Sequence, residues 1–257
     1  MTYFGFLLRF LVIPIFIFGG FYIWDQRKSG STAEFGNGRI FWLVIGVHIL
    51  LALIYTTPWD NYLVATRVWF YNPKLVTGIV LGYVPIEEYT FFILEVILVG
   101  LWWNFLAGRT EPAPTFRPIP RLRHWSLGVV TLVWAISTIL LFFGSRQLTY
   151  LTIILFWALL PTIPQFIFGA DLLWHYRRLI LATIIPAAVY LSLTDSIAIA
   201  SSTWTIDPAQ STNLFIGTLP IEEALFFVMT AMLLTFGMTL ALAKESRGRF
   251  RGLLESR

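Results

Sequence analysis

The chain contains no cysteine, which excludes disulfides, thiolate catalysis and thiolate metal sites. Charge is scarce as well. Asp, Glu, Lys and Arg make up 12% of the residues, about half the share of an ordinary soluble domain. No Gly-x-Gly-x-x-Gly follows a strand pattern, and Gly36-Asn37-Gly38 reads as a loop, so no dinucleotide-binding fold is expected. Asp60-Asn61 and Asp195-Ser196 are too sparse for the Asp-rich magnesium sites that prenyl transfer requires. What is present is apolar. Hydrophobic residues make up 57% of the chain and aromatics 17%, and the mean hydropathy is +0.74. This is the composition of an all-α, polytopic membrane protein. The net charge of +4 lies mostly in loop arginines and reads as a topology signal, not as a nucleic-acid surface.

About 20 apolar residues cross a bilayer as a helix. That rule predicts seven spans, near residues 3–24, 40–57, 79–105, 125–144, 149–169, 179–200 and 214–242. Of the 18 Lys and Arg residues, 14 fall on one side: Arg27, Lys28 and Arg39; Arg109, Arg117, Arg121 and Arg123; Arg177 and Arg178; Lys244, Arg247, Arg249, Arg251 and Arg257. The positive side is expected to be cytoplasmic. The N-terminus then lies outside an inner, cell-bounding membrane and the C-terminus inside. The first span is not a signal peptide on this reading, because Ile13-Pro14-Ile15-Phe16-Ile17-Phe18-Gly19 recurs as Ile163-Pro164-Gln165-Phe166-Ile167-Phe168-Gly169.

The repeat extends further. At a constant offset of 135, Tyr55 matches Tyr190, Asp60 matches Asp195, Trp69 matches Trp204, Pro73 matches Pro208 and Gly82 matches Gly217. Pro85-Ile86-Glu87-Glu88 then matches Pro220-Ile221-Glu222-Glu223, each followed by a Phe pair, 91–92 and 226–227. The expected organisation is a three-helix repeat over 1–106, a linker and an extra helix over 107–146, and a second repeat with a basic tail over 147–257. The odd fourth span gives the two repeats a parallel orientation.

Two duplicated carboxylate pairs at the start of apolar spans point to acid chemistry, because lipid does not solvate a charge. The predicted boundaries place each pair about two turns inside its helix. Adjacent helical residues point about 100° apart, so one glutamate of each pair aims into a cavity and its neighbour lies to the side. Glu95 adds a third carboxylate on nearly the same face as Glu88; its counterpart in the other half is Thr230. These helices hold no Lys or Arg; His48 is the nearest candidate cation and also reads as a satisfied core histidine. At least one neutral carboxylic acid at pH 7 is therefore expected. Asp60 and Asp195 are expected at the ends of spans two and six, where they can hydrogen-bond the glutamates, take back a proton, or simply end a helix. The Phe pairs suit core packing or a cation-tolerant surface. Trp59, Trp69, Tyr71 and Trp204 lie in loops that can cap the site or anchor the interface.

Pro-x-Glu-Glu beside Phe-Phe, twice, with an Asp and a Trp upstream of each copy, resembles the integral-membrane lycopene cyclases of bacteria, archaea and fungi in their fused form. The likeness covers nearly the whole chain. It departs from internal symmetry where Tyr89-Thr90 becomes Ala224-Leu225, so the halves need not do the same job. The resemblance implies a cofactor-free, redox-neutral isomerisation of lycopene or a similar linear carotenoid within the lipid bilayer. An acid protonates a terminal double bond, and the cation closes a β-ring. On this reading Glu87 or Glu222 is the acid, and Glu88 and Glu223 are its partner or base. Asp60 and Asp195 assist, while Phe91, Phe92, Phe226, Phe227, Trp69 and Trp204 bind substrate. One composite site between the halves, with lycopene turned end for end, is expected. A cyclase of C50 or other carotenoids, a proton-coupled transporter and an intramembrane protease are the alternatives. The protease reading lacks its following Arg and its histidines.

Overall fold

A computed structural model of the chain describes residues 1–28, 38–110 and 115–255. Gly36 and Asn37, residues 111–114 of the linker, and Arg257 lie outside them. Seven helices among the described residues are long and apolar enough to cross a membrane: Tyr3–Arg27, Gly38–Ala65, Ile86–Ala107, Pro120–Phe143, Arg146–His175, Arg177–Ala200 and Ile221–Leu242. The protein is an all-α polytopic membrane protein.

The first span joins α1 (Tyr3–Leu7) to α2 (Ile13–Lys28) through a wide π-helical turn, Leu8–Val12. Next come α3 (Gly38–Ala65), a short strand β1 (Trp69–Tyr71), and a hairpin of β2 (Val80–Leu81) and β3 (Val84–Pro85) that feeds α4 (Ile86–Ala107). Helix α5 (Pro120–Phe143) packs on α6 (Thr149–His175). Helix α7 (Arg177–Ala200) leads to β4 (Trp204–Ile206), the hairpin β5 (Phe215–Ile216) and β6 (Leu219–Pro220), then α8 (Ile221–Leu242) and the terminal helix α9 (Lys244–Glu255).

Helices α4 and α8 sit at the centre. Helix α4 packs on α2, α3, α7 and α8, while α8 packs on α3, α4, α6 and α7. The apolar faces of α3 and α5 remain largely exposed, as suits lipid-facing helices. The elements from β1 to α4 recur 135 residues on as β4 to α8. The two copies meet where β1 and β4 pair antiparallel, with Trp69 opposite Ile206, Phe70 opposite Thr205 and Tyr71 opposite Trp204. They meet again deeper, where the Thr230 hydroxyl donates to Glu95 Oε1 at 2.7 Å and Trp103 Nε1 to Thr239 Oγ1 at 3.1 Å. Both Phe70–Thr205 and Glu95–Thr230 pair a residue with its own counterpart at offset 135.

Two boundaries differ from the sequence expectation. Spans three and seven do not begin near 79 and 214, where the chain forms the two hairpins instead. Gly82 and Gly217 turn them at φ +71° and +65°. Pro85 and Pro220 then set an extended residue just before each helix. Hydropathy cannot tell an apolar hairpin from a helical turn. The Glu-Glu pairs therefore stand in the first helical turn, not two turns inside. Asp60 and Asp195 do not end their helices either. Each lies five residues before the helix ends at Ala65 or Ala200, about one and a half turns inside.

The two turn glycines differ in their surroundings. A Cβ at Gly217 meets nothing, whereas one at Gly82 runs into the Asn61 carboxamide oxygen. That oxygen accepts from the Tyr83 N–H at 2.8 Å. Gly217→Ala is expected to cost about 1–2 kcal/mol through its left-handed backbone. Gly82→Ala should cost about 1 kcal/mol more, for the disturbed hydrogen bond. Thermal unfolding of the purified protein in detergent compares the two; equal losses would remove the role given to Asn61.

Candidate functional site

Each Glu-Glu pair divides its work by the turn of the helix. The first glutamate faces back toward its own loop. Glu87 Oε1 accepts the Thr77 N–H at 2.6 Å. At the equivalent place, Glu222 Oε1 accepts the Thr212 N–H at 2.6 Å, the Thr212 hydroxyl at 2.7 Å and the Ser211 hydroxyl at 3.2 Å. Both side chains are buried. They tie the loop before each hairpin to the start of α4 or α8 and give a backbone N–H of each loop its acceptor.

The second glutamate faces the middle of the molecule. Glu88 Oε2 accepts the Tyr3 hydroxyl at 2.6 Å and the Tyr71 hydroxyl at 2.9 Å. Glu223 Oε1 accepts the Tyr150 hydroxyl at 2.7 Å. Glu88 and Glu223 line one cavity of about 50 Å³ between the halves, together with Phe91, Phe226, Phe227 and Asp195. Trp69 Nε1 donates to the Tyr71 oxygen at 3.1 Å, which extends the chain of donors behind Glu88. Tyr71 lies on β1, outside the spans. Burial and the neighbouring Glu88 push its phenol well above the usual range, so it stays a donor at any ordinary pH.

The two aspartates, equivalent in sequence, have different neighbours. Asp195 Oδ1 accepts the Trp204 indole N–H at 3.0 Å. Asp60 lies in a smaller adjoining cavity of about 30 Å³ that Glu88, Trp69, Tyr150 and Phe226 also line. Neither of its carboxylate oxygens meets a hydrogen-bond partner among the described residues. The reason is that Trp69, the counterpart of Trp204, spends its N–H on Tyr71.

The structure thus brings Glu88, Glu223, Asp195, Phe91, Phe226, Phe227, Trp69 and Trp204 around one chamber. Asp60 and Phe92 stand beside it. Glu87 and Glu222, expected to aim into the cavity as the acid, are absent from its lining and face the loops. The two loop tryptophans turn inward onto Tyr71 and Asp195, not outward as interface anchors. His48 does not approach the glutamates of the chamber; its Nδ1 lies 2.8 Å from the Val44 carbonyl oxygen. Tyr3 and Tyr150 escaped the sequence reading because they correspond at an offset of 147, not 135. Their signal is their place upstream of the repeated Ile-Pro motif. The chamber offers carboxyl groups held by phenols, ring faces and no cationic side chain in its lining. That arrangement can deliver a proton to an apolar molecule and tolerate the positive charge that follows.

A sequence profile described as lycopene cyclase matches residues 2–106 and 147–241. A lycopene beta-cyclase of Halobacterium salinarum is 37% identical over 198 residues, covering 76% of this chain and 81% of that protein. A bifunctional lycopene cyclase/phytoene synthase of Podospora anserina is 32% identical over 215 residues, 78% of this chain and 35% of that protein. A protein of the same description from Aspergillus niger is 31% identical over 206 residues, 76% of this chain and 34% of that protein. This chain therefore corresponds to about a third of those fungal proteins. No solved structure matches. On the profile match and on the similarity to the Halobacterium protein, which spans most of both chains, this chain belongs to the lycopene cyclase family.

Proposed function

We propose that this enzyme closes the ψ-ends of lycopene into β-rings by acid catalysis, as an intramolecular lyase whose product is an isomer of its substrate. The observation that carries the reading is that Glu88 and Glu223, from equivalent places on the two halves, face one chamber walled by phenylalanines. The name of the Halobacterium relative favours lycopene and a β-ring over a C50 substrate or an ε-ring.

The chemistry follows from the parts. Glu88 gives its proton to C2 of the terminal double bond, leaving a tertiary cation at C1. The Tyr3 and Tyr71 hydroxyls, already aimed at Glu88 Oε2, stabilise the negative charge that appears there. The C5–C6 π pair attacks C1 and forms the new ring bond, which moves the cation to C5. Glu223, across the chamber, takes the C6 proton, and the electrons of that bond restore the C5–C6 double bond. Phe91, Phe226 and Phe227 face the passing cation. The indole of Trp204 holds Asp195 as a further fixed charge or acceptor, and Trp69 orients Tyr71. Glu87 and Glu222 hold the loops and do not touch substrate. Protons taken and given are equal, so no redox partner enters.

The proposed frame is two parallel three-helix repeats, 1–106 and 147–257, with linker and α5 between them. The pairing of Phe70 with Thr205 and of Glu95 with Thr230 supports it, since an axis through such pairs exchanges the halves without inverting them. The 14 cations on one side support a cytoplasmic C-terminus and an outside N-terminus in the cell membrane.

Bacteria that accumulate lycopene provide the test, with carotenoids separated by chromatography. The wild-type chain should yield β-carotene or one-ringed γ-carotene. Glu88→Gln and Glu223→Gln should each lose activity by about 100-fold or more. Glu87→Gln and Glu222→Gln keep the accepting oxygen and should retain most of it. A Glu87→Gln protein that is folded and as inactive as Glu88→Gln would return the acid role to Glu87.

Tyr3→Phe removes one donor to a developing charge, and a loss of about tenfold is expected with folding intact. An unchanged rate would remove Tyr3 from the mechanism. Reaction in heavy water should add one deuterium per ring, at C2. Rings formed without deuterium would exclude protonation by an exchangeable acid.

A further inference from the structure

Two clefts in the apolar surface lie at equivalent places on the two halves. The first, about 260 Å³, opens between α3 and α6 and has Leu51, Ala52, Tyr55 and Thr56 along one wall. The second, about 360 Å³, opens between α7 and α2 and has Pro186, Ala187, Tyr190 and Leu191 in the corresponding positions, 135 residues on. Leu51 and Ile17, at the respective mouths, are 57% and 54% exposed on the lipid-facing surface.

Their inner ends differ. Thr56, Phe92, Trp157 and Phe226 line both the first cleft and the small cavity that holds Asp60. Trp69, Glu88, Tyr150 and Phe226 line both that cavity and the acid chamber. Only shared side chains therefore separate the first cleft from the Asp60 cavity, and that cavity from the chamber of Glu88. The second cleft shares no lining residue with either cavity. There Leu191, only 1% exposed, replaces Thr56. Phe10 takes the place of Trp157: the Tyr190 hydroxyl donates to the Phe10 carbonyl as the Tyr55 hydroxyl does to that of Trp157. Behind Phe10, Phe6 packs on both Phe10 and Trp204 at 5.3 and 5.2 Å between ring centroids. Trp204 in turn is fixed on Asp195. The same stack that donates to one oxygen of Asp195 closes this route.

We propose that the linear polyene enters from the bilayer through the cleft between α3 and α6, past a neck of Thr56 and Trp157, and that the equivalent cleft on the other half is a dead end. The proposal rests on the cyclase reading and adds to it the substrate's route. The trailing part of the polyene lies along α3 while its end reaches Glu88. A molecule with two reactive ends then uses one entrance twice.

The absence of cysteine allows a test on folded protein. Ala52→Cys and Ile17→Cys are made singly, purified in detergent, alkylated with N-benzylmaleimide, and assayed for ring formation from lycopene. Mass spectrometry checks complete labelling. Alkylation at residue 52 should lower turnover by about tenfold or more relative to the same variant unlabelled, as blocked access would. Alkylation at residue 17 should leave turnover unchanged. Leu51→Cys, on the exposed lip, replaces Ala52→Cys if that variant does not fold. Full turnover after complete labelling at the α3 wall overturns the route, and so does an equal loss at residue 17. Unmodified wild-type protein that forms no ring would overturn the cyclase reading itself.

Discussion

A carboxyl group at membrane depth must find donors inside the protein or stay neutral, because lipid supplies neither water nor counter-ions. Much of the local architecture follows from that constraint. The chain places four such groups in the first turns of two central helices. Glu87 and Glu222 receive backbone N–H groups, which the loops before the hairpins present. Glu88 and Glu223 receive phenols from α1, β1 and the start of α6. The loops before the hairpins and the paired strand β1 bring donors to oxygen atoms.

The duplication makes one chamber and then departs from symmetry inside it. Tyr71 occupies the position whose counterpart is Ile206. That single difference redirects the nearby indole. Trp69 bonds Tyr71, whereas Trp204 bonds Asp195. Asp60 is consequently left without a hydrogen-bond partner among the described residues, in a small cavity, while Asp195 is capped and its side packed with aromatic rings. One phenol thus accounts both for the second donor on Glu88 and for the opening on that side.

The sequence shows the spans, the 135-residue offset and the carboxylate pairs, because long apolar runs and repeated motifs are local properties. It also makes Thr230 the counterpart of Glu95 at that offset, and the structure then brings the two together. It does not show which glutamate of each pair faces inward. That depends on where the helix begins, and the apolar residues 79–85 and 214–220 read as helix by hydropathy. Tyr3 and Tyr150 are equally hidden. The spacing between tyrosine and the repeated proline is 11 residues in one half and 14 in the other, so a search at one offset passes over them. Trp69 and Trp204 look identical in sequence and act differently. Their partners come from tertiary contacts, not from their neighbours in the chain.

The proposed reaction suits a chamber lined by two carboxyl groups for a further reason. Each ring takes one proton and releases one, so the acid is restored within the site when the acceptor passes its proton back. Between turnovers, with no cation present, that proton exchanges with solvent, so rings closed in heavy water carry solvent deuterium. A water-filled channel would be harmful, because water captures a tertiary cation faster than a remote double bond does unless it is excluded. The chamber lies at the meeting of both halves, lined by Glu88 and Glu223 and by the tyrosines whose hydroxyls each carboxylate accepts. Proton return from Glu223 to Glu88 across a space of about 50 Å³ needs only the departure of product or the turning of the chain. The same geometry that lets two carboxyl groups share a cavity lets them share a proton.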